Sequence, residues 1–226
     1  MEAEKPVIQT DPEIPEAIRS FCSRCTEALK QVTAPESCIA LARQELGGLL
    51  QNRDLMSRLM EAILEGRAFP DIRRPTLFDN EILLYQEPDR LYSLRMYLWG
   101  PGEYTPIHDH NSWGVIGTVT AGFEVVNYSR VDDGESEGYA ELKERERFIL
   151  KAGESAHTFP LNDGIHRTGN PTRETIVTLS FYGSPVARPY IQGFDLVHRR
   201  VFRIMSPRRK KVHLADQALK TLSSHA

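Results

Sequence analysis

Apolar residues in the first third of the chain recur at three- and four-residue intervals. Ile14, Ala17, Ile18, Phe21, Cys22, Cys25, Ala28, Leu29 and Val32 form one such stripe, which predicts an amphipathic helix. Asp11-Pro12 is its start signal, an N-cap residue followed by proline in the first turn; residues 1–10 read as a loose lead. A second helix is predicted from about Pro35 through Cys38, Ile39, Leu41 and Ala42 to Leu46, with Gly47-Gly48 as its stop. A third carries Leu55, Met56, Leu59, Met60, Ile63 and Leu64 and ends at Gly66. Residues 11–66 therefore read as a helical layer whose apolar face needs something to pack on.

After the breaks at Pro70 and Pro75 the period drops from helical to two. Glu81–Gln86 and Leu91–Trp99 read as strands joined by a turn at Glu87-Pro88-Asp89. Further strands are predicted around His108 and His110, at Trp113–Thr120, Phe123–Ser129 and Tyr139–Leu150, and at Glu174–Gly183. The charged half of the Tyr139–Leu150 strand must face water. Turns fall at Pro101-Gly102, Ala121-Gly122, Asp132-Asp133-Gly134-Glu135, Gly153, Asn162-Asp163-Gly164 and Gly169-Asn170-Pro171. Many short strands at this spacing imply a mainly β fold, an antiparallel barrel or jelly roll. The organisation that follows is a helical segment over 1–70, a β-barrel over 71–205 and a tail over 206–226. That tail opens on a basic cluster, Pro207-Arg-Arg-Lys-Lys211, with a short helix at 212–223.

Composition narrows the classes of function. With 226 residues, 40% of them hydrophobic, the chain can bury a sizeable core. A net charge of −3 provides no field for nucleic acid or membrane, and the basic tail lacks the interleaved aromatics of a nucleic-acid patch. No apolar run approaches membrane-spanning length, and Met1-Glu-Ala-Glu-Lys-Pro6 has no signal-peptide pattern. A cytoplasmic address is the expectation. Cys22, Cys25 and Cys38 are too few for a disulfide framework, and they lie on helical apolar stripes, which predicts core thiols.

Candidate chemistry enters at His108-Asp109-His110. Alternation along a strand puts both imidazoles on one face and Asp109 on the other. Two imidazoles on one face are half of a metal site. The other histidines are His157, His166, His198, His213 and His225. His166, in Gly164-Ile-His-Arg167, follows a turn into a short strand and can return to the same interior face; His157, just before Phe159-Pro160, is the alternative third ligand. His198, His213 and His225 fall after the barrel motifs and read as solvent-facing or packing residues.

Gly102, five residues, His108-x-His110 and Gly122 resemble the first cupin motif. Gly153, Pro160, Gly164, His166 and Asn170 resemble the second. One departure is informative: where the common pattern places a glutamate four or five residues after the second histidine, Gly114 and Val115 stand. Pro106-Ile-His-Asp-His-Asn-Ser-Trp-Gly114, three histidines and no carboxylate, resembles the cysteine dioxygenase family of thiol dioxygenases, as does the layout of helices followed by a β-barrel. The resemblance covers roughly residues 75–190. It implies an Fe(II) site held by His108, His110 and His166, the Gly-Ile-His-Arg context favouring His166 over His157, and a small thiol and O2 as substrates. Three neutral imidazoles leave the ion its full charge, which favours a thiolate.

The family's Ser-x-His-x-Tyr relay corresponds to Thr178-Leu-Ser180-Phe-Tyr182. The tyrosine is kept and the histidine has become Ser180, with a water expected in the imidazole's place. The substrate clamp of the family, arginine or glutamine on an early strand, falls in Asn80–Gln86, which holds Glu81 and Gln86 but no arginine. Arg95 and Arg167 are the alternative cations. The family's cross-linking cysteine has no counterpart, so no thioether is expected. Two rivals accompany the dioxygenase reading: a cupin enzyme with another substrate or metal, and a non-catalytic metal-binding or sensor module.

Overall fold

The computed structural model describes residues 15–65 and 76–224. The lead, the Asp11-Pro12 start signal, Ile14, Gly66, Pro70, Pro75 and His225 lie outside them. Three helices come first: α1 (Glu16–Leu29), α2 (Pro35–Leu50) and α3 (Arg53–Leu64). Eleven strands follow: β1 (Glu81–Gln86), β2 (Tyr92–Trp99), β3 (Ile107–His110), β4 (Gly114–Thr118), β5 (Phe123–Arg130), β6 (Leu142–Leu150), β7 (Ser155–Thr158), β8 (Leu161–Gly169), β9 (Ile176–Gly183), β10 (Ile191–Asp195) and β11 (Arg200–Ile204). Helix α4 (Pro207–Ser224) ends the described chain. Among the described residues no helix is long and apolar enough to cross a membrane.

The strands form two antiparallel sheets, ordered β1-β2-β9-β4-β7 and β11-β10-β3-β8-β5-β6. Facing each other, they make a double-stranded β-helix of the cupin type, with the N-terminal helices as a third layer. Strand β9 shows how one sequence serves both layers. Its residues alternate: Leu179 and Phe181 join the core under the helices, while Thr178, Ser180 and Tyr182 point between the sheets. On the helical side Phe181 meets Phe21 edge-on at 5.8 Å and stacks on Tyr92 at 4.6 Å. The Tyr92 hydroxyl donates to the Cys22 carbonyl at 2.7 Å. Between the sheets, Trp99 packs on Phe123 at 5.2 Å in a cluster with Tyr97, Ile116, Val125 and Ile176.

Several boundaries differ from the sequence expectation, each for a physical reason. Helix α2 does not stop at Gly47-Gly48 but runs to Leu50. Two helical glycines cost about 1 kcal/mol each, and burial of Leu49 and Leu50 returns about 1.5–3 kcal/mol each. Leu50 fits because Gly117 faces it: a Cβ there would come within 2.4 Å of Leu50 Cδ1. Asn162-Asp163-Gly164 is not a turn but part of β8; the reversal occurs just before it, and Leu161 absorbs the bend at φ +58. The tail helix starts earlier than residue 212: the basic cluster is the first turn and a half of α4, because Pro207 is tolerated at a helix start. Strands β10 and β11 carry arginines and an aspartate that mask their alternation, and the sequence reading missed them.

Candidate metal centre

His108 and His110 come from β3, and His166 from β8, which pairs with it; His108 and His166 are directly opposed across the ladder. Ring centroids lie 4.8 Å (108–110), 5.0 Å (108–166) and 4.5 Å (110–166) apart. One nitrogen from each ring lies within 4.8 Å of the others, and all three residues are buried. No carboxylate joins the cluster among the described residues. His157 is not part of it. It sits on β7 with its ring edge-on to Phe159 at 5.5 Å, lining an outer cleft with Arg43 and Arg145.

The tautomers follow from the backbone. His108 Nδ1 lies 2.9 Å from the Pro106 carbonyl, and His110 Nδ1 lies 3.0 Å from the Gly164 carbonyl. A carbonyl only accepts, so each Nδ1 carries the proton and each Nε2 keeps its lone pair. His110 Nε2 is buried with no hydrogen-bond partner. Such an orphan is costly unless a metal takes the lone pair, so the residues fit an ion. Burial lowers all three pKa values. His110 is pushed down to about 3, with His108 adding to the effect, and His166 falls well below its usual range. All three are therefore neutral imidazoles at pH 7, the form that can bind an ion.

Glycines make this geometry reachable. At Gly164 a Cβ would lie 1.8 Å from the Phe159 carbonyl oxygen and 2.3 Å from Thr158 Oγ1; only glycine can bring the Gly164 carbonyl to His110. Thr158 Oγ1 donates to the same carbonyl at 3.1 Å. Gly114 lies opposite Tyr182 across the β4–β9 ladder. A Cβ there would fall 2.5 Å from Tyr182 Cδ1, so the place of the missing glutamate is filled by a phenol ring. That ring stacks on His110, with centroids 6.0 Å apart and planes at 23°. Asn170, the end of the second motif, is a structural tie: its amide donates to the carbonyls of Trp99, Gly100 and Glu174 at 3.0, 3.1 and 2.6 Å.

Thr178, Ser180 and Tyr182 share the interior face beside the histidines. The Trp99 indole donates to Thr178 Oγ1 at 3.0 Å. Ser180 Oγ is buried without a partner, beside a void of about 10 Å³, the size of a single water. Burial raises the Tyr182 pKa, the nearby Ser180 hydroxyl and then the Arg95 charge opposing it, so the phenol stays protonated.

A larger pocket of about 250 Å³ opens above the histidines, lined by Glu81, Gln86, Arg90, Arg95, His108, His110 and Tyr182 among others. The three residues expected to read substrate all stand in its wall, though two have their polar ends engaged. Glu81, 3% exposed, is not an open carboxylate awaiting an amine: it pairs with Arg95 Nη1 and accepts from the Leu77 and Phe78 N–H groups at 3.1 and 3.3 Å. The Gln86 amide donates to the Tyr92 carbonyl at 2.9 Å. Arg95 Nε donates to Ser93 Oγ at 3.1 Å, and its Nη2 makes no bond to any described residue. Arg167 is not in the pocket; it covers the Tyr104 ring at 4.0 Å. The cysteines are all in the helical layer. Burial pushes Cys22 and Cys25 up to about 12, so they are unreactive core thiols.

One residue tied to the cluster escaped the sequence reading. Arg188, in the segment between β9 and β10, forms a two-pronged ion pair with Asp109 at 2.6 and 2.8 Å. The outward-pointing aspartate between two ligands was its only signal.

No protein-family model matches the sequence. Among solved structures the chain is similar to a Cupin 2 conserved barrel domain protein from Salinispora arenicola, at 18% identity and TM-score 0.34 over 50% of this chain and 83% of that one. It is also similar to oxalate oxidase in complex with the substrate analogue glycolate, at 19% and 0.34 over 45% of each chain. A third is a double-stranded β-helix domain protein from Klebsiella pneumoniae, at 15% and 0.35 over 54% of this chain and 93% of that one. The cupin description rests on this chain's own sheet order and on a buried three-histidine cluster where its two motifs meet.

Proposed function

We propose that the protein is an Fe(II)-dependent thiol dioxygenase that adds both atoms of O2 to the sulfur of a small thiol. The balance is RSH + O2 → RSO2H, with no further reductant. The observation that carries this reading is the donor set: three neutral imidazoles, two with Nε2 turned inward by backbone carbonyls, and no carboxylate among the described residues. An iron(II) ion held there supplies the redox step between thiol and dioxygen.

The chain's own residues do the rest. Tyr182, kept protonated by burial, presents a hydroxyl that can donate to a charged group forming beside His110. Thr178, fixed by Trp99, and Ser180 line the wall behind it and position a water. Arg95, oriented by Glu81 and Ser93, offers its unengaged Nη2 to an anionic substituent; Gln86 and Glu81 hold the wall in shape. Cysteine and 3-mercaptopropionate fit this arrangement.

The test is oxygen uptake by anaerobically purified, Fe(II)-loaded protein with cysteine, 3-mercaptopropionate and cysteamine, and product identification by mass. One O2 consumed per sulfinate formed is the expected result. Iron bound at the histidines with no turnover of any thiol would overturn the proposal in favour of a sensor or another substrate. Retention of iron by His166→Ala would overturn the ligand assignment.

A further inference from the structure

Strand β3 carries two of the three candidate ligands, yet it is short and poorly laddered. It has four residues. It pairs with β10 only at Ile107 and His108, and its register to β8 is irregular between His108 and His110. The regular ladder therefore fades where His110 must be placed. Something else fixes that end.

Asp109, between the two ligands, and Asn111, just past the end of the strand, are held by a single guanidinium. Arg188 Nη1 and Nη2 donate to both oxygens of Asp109, and Nε donates to Asn111 Oδ1 at 2.7 Å. Asn111 answers with its own amide, which donates to the Arg188 and Tyr190 carbonyls at 2.9 and 3.0 Å. The Gln192 N–H adds a bond to Asp109 Oδ1 at 2.7 Å. The Asp109 side chain is fully buried and that of Arg188 is 16% exposed. A paired, two-pronged contact of this kind fixes direction as well as distance. Because successive side chains on a strand point to opposite faces, fixing Asp109 on the face opposite the ligands fixes the rotation of His108 and His110, and the hold on Asn111 fixes the chain just past the end of the strand.

The same arginine belongs to the rim of the pocket. Its segment is pinned at Val186, whose N–H donates to the Asn111 carbonyl at 2.7 Å, and at Ser184, whose hydroxyl donates to the Arg90 carbonyl at 2.9 Å. Pro185 and Ile191, on either side of Arg188, line the pocket over the histidines.

We propose that Arg188 is a positioning residue for the metal centre: its clamp on Asp109 and Asn111 aims the His108/His110 pair and joins the pocket rim, residues 184–191, to the ligands as one unit. This rests on the metal-centre reading and goes beyond it by naming what sets the affinity and what the ion in turn orders. Coupling of this kind is reciprocal: if the rim holds the ligands, ion binding must steady the rim.

The test uses the full chain, titrated anaerobically with Co(II) as probe, in the wild type, Arg188→Met, Arg188→Lys and the double variant Asp109→Asn/Arg188→Met. Affinity and the cobalt visible spectrum are read together with thermal stability and hydrogen exchange across residues 184–191. Arg188→Met is expected to lose about 10–100-fold in cobalt affinity, the range for outer partners of metal ligands, with an altered spectrum. It is also expected to lose the slowing of rim exchange that cobalt produces in the wild type. Lysine keeps the charge but not the fork, and is expected to restore only part of the affinity.

The double variant separates positioning from mere stability. Neutralising the stranded Asp109 should recover melting temperature relative to Arg188→Met while cobalt affinity stays low. If affinity returned together with stability, the clamp would be structural only and the inference would fall. Wild-type affinity, spectrum and rim protection in Arg188→Met would overturn it as well, leaving the metal centre intact. A wild type that binds no cobalt at the three histidines would overturn both readings.

Discussion

Replacing Gly114 by alanine tests whether the place of a fourth, acidic ligand is taken by Tyr182. The added Cβ would lie 2.5 and 2.7 Å from Tyr182 Cδ1 and Cε1, and 3.3 Å from Thr158 Cγ2. Carbon atoms rest at about 3.5–4.0 Å, so the ring must retreat by about 1 Å. It cannot move toward His110, on which it stacks, but it also lines the pocket of about 250 Å³ and can yield into that space. Relief is therefore cheap for the fold, and the loss should sit at the low end of the overpacking range, about 1 kcal/mol. In a chain of this length that lowers the melting temperature by about 2–4 °C. On the proposed thiol-dioxygenase reaction the functional loss should be much larger, because a 1 Å displacement of a group at a reacting centre can cost about 10²-fold. The assay pairs thermal unfolding of the apo protein with oxygen uptake by the iron-loaded enzyme, in Gly114→Ala, Tyr182→Ala and the double variant. Removing the ring removes the clash, so the stability losses of the two single variants should add to more than the loss of the double variant. Additive losses, or a Gly114→Ala enzyme with wild-type turnover, would refute the steric account.

Three other outcomes follow from the same geometry. The three histidines have folded pKa values below the ordinary 6.5, so as pH falls below about 6.5 the unfolded chain binds protons that the fold refuses, and stability drops. His110 alone, neutral in the fold down to about 3, should cost about 2 kcal/mol at pH 5 relative to pH 7; urea unfolding at both values checks it, and His110→Gln should remove that share. Ser180→Ala should cost up to about 1 kcal/mol, because its hydroxyl, buried without a protein partner beside a water-sized void, is the group that holds the water there; unchanged stability on chemical denaturation would mean that no water is bound at Ser180. Gly164→Ala should cost more than about 3 kcal/mol through its collision with the Phe159 carbonyl, and circular dichroism of a normally folded, normally stable variant would contradict the account of how the His110 carbonyl anchor is built.

What the sequence made legible is what alternation and spacing encode. The two faces of Thr178-Leu-Ser-Phe-Tyr182, the shared face of His108 and His110, and the helical stripe through Phe21 and Cys25 depend on period alone, and period survives without knowing which strand pairs with which. The pocket wall was harder, because it depends on register. Strand β1 slips by a residue between Leu83 and Tyr85, and the opposition of Glu81 to Tyr97 rather than to open solvent follows from that bulge; with Arg95 beside it, the carboxylate becomes half of an ion pair instead of a recognition group. Arg188 was beyond reach for the same reason in stronger form. It stands 79 positions from Asp109 in a segment without periodicity, and nothing local marks it.

The carboxylate that a typical cupin would bring shows how an absence in sequence becomes a presence in structure. From the chain alone, Gly114 and Val115 merely fail to be glutamate, and the conclusion is that one ligand is missing. In the fold, Val115 turns toward the helical layer, fully buried there, and Gly114 faces inward with no room for a side chain. The two positions are thus closed by different means, one by direction and one by the Tyr182 ring. Glycine at 114 and tyrosine at 182 are a single choice made on two strands. A site that admits the phenol cannot also admit the carboxylate at that position, so the three-histidine donor set and the hydroxyl stacked beside it stand or fall together.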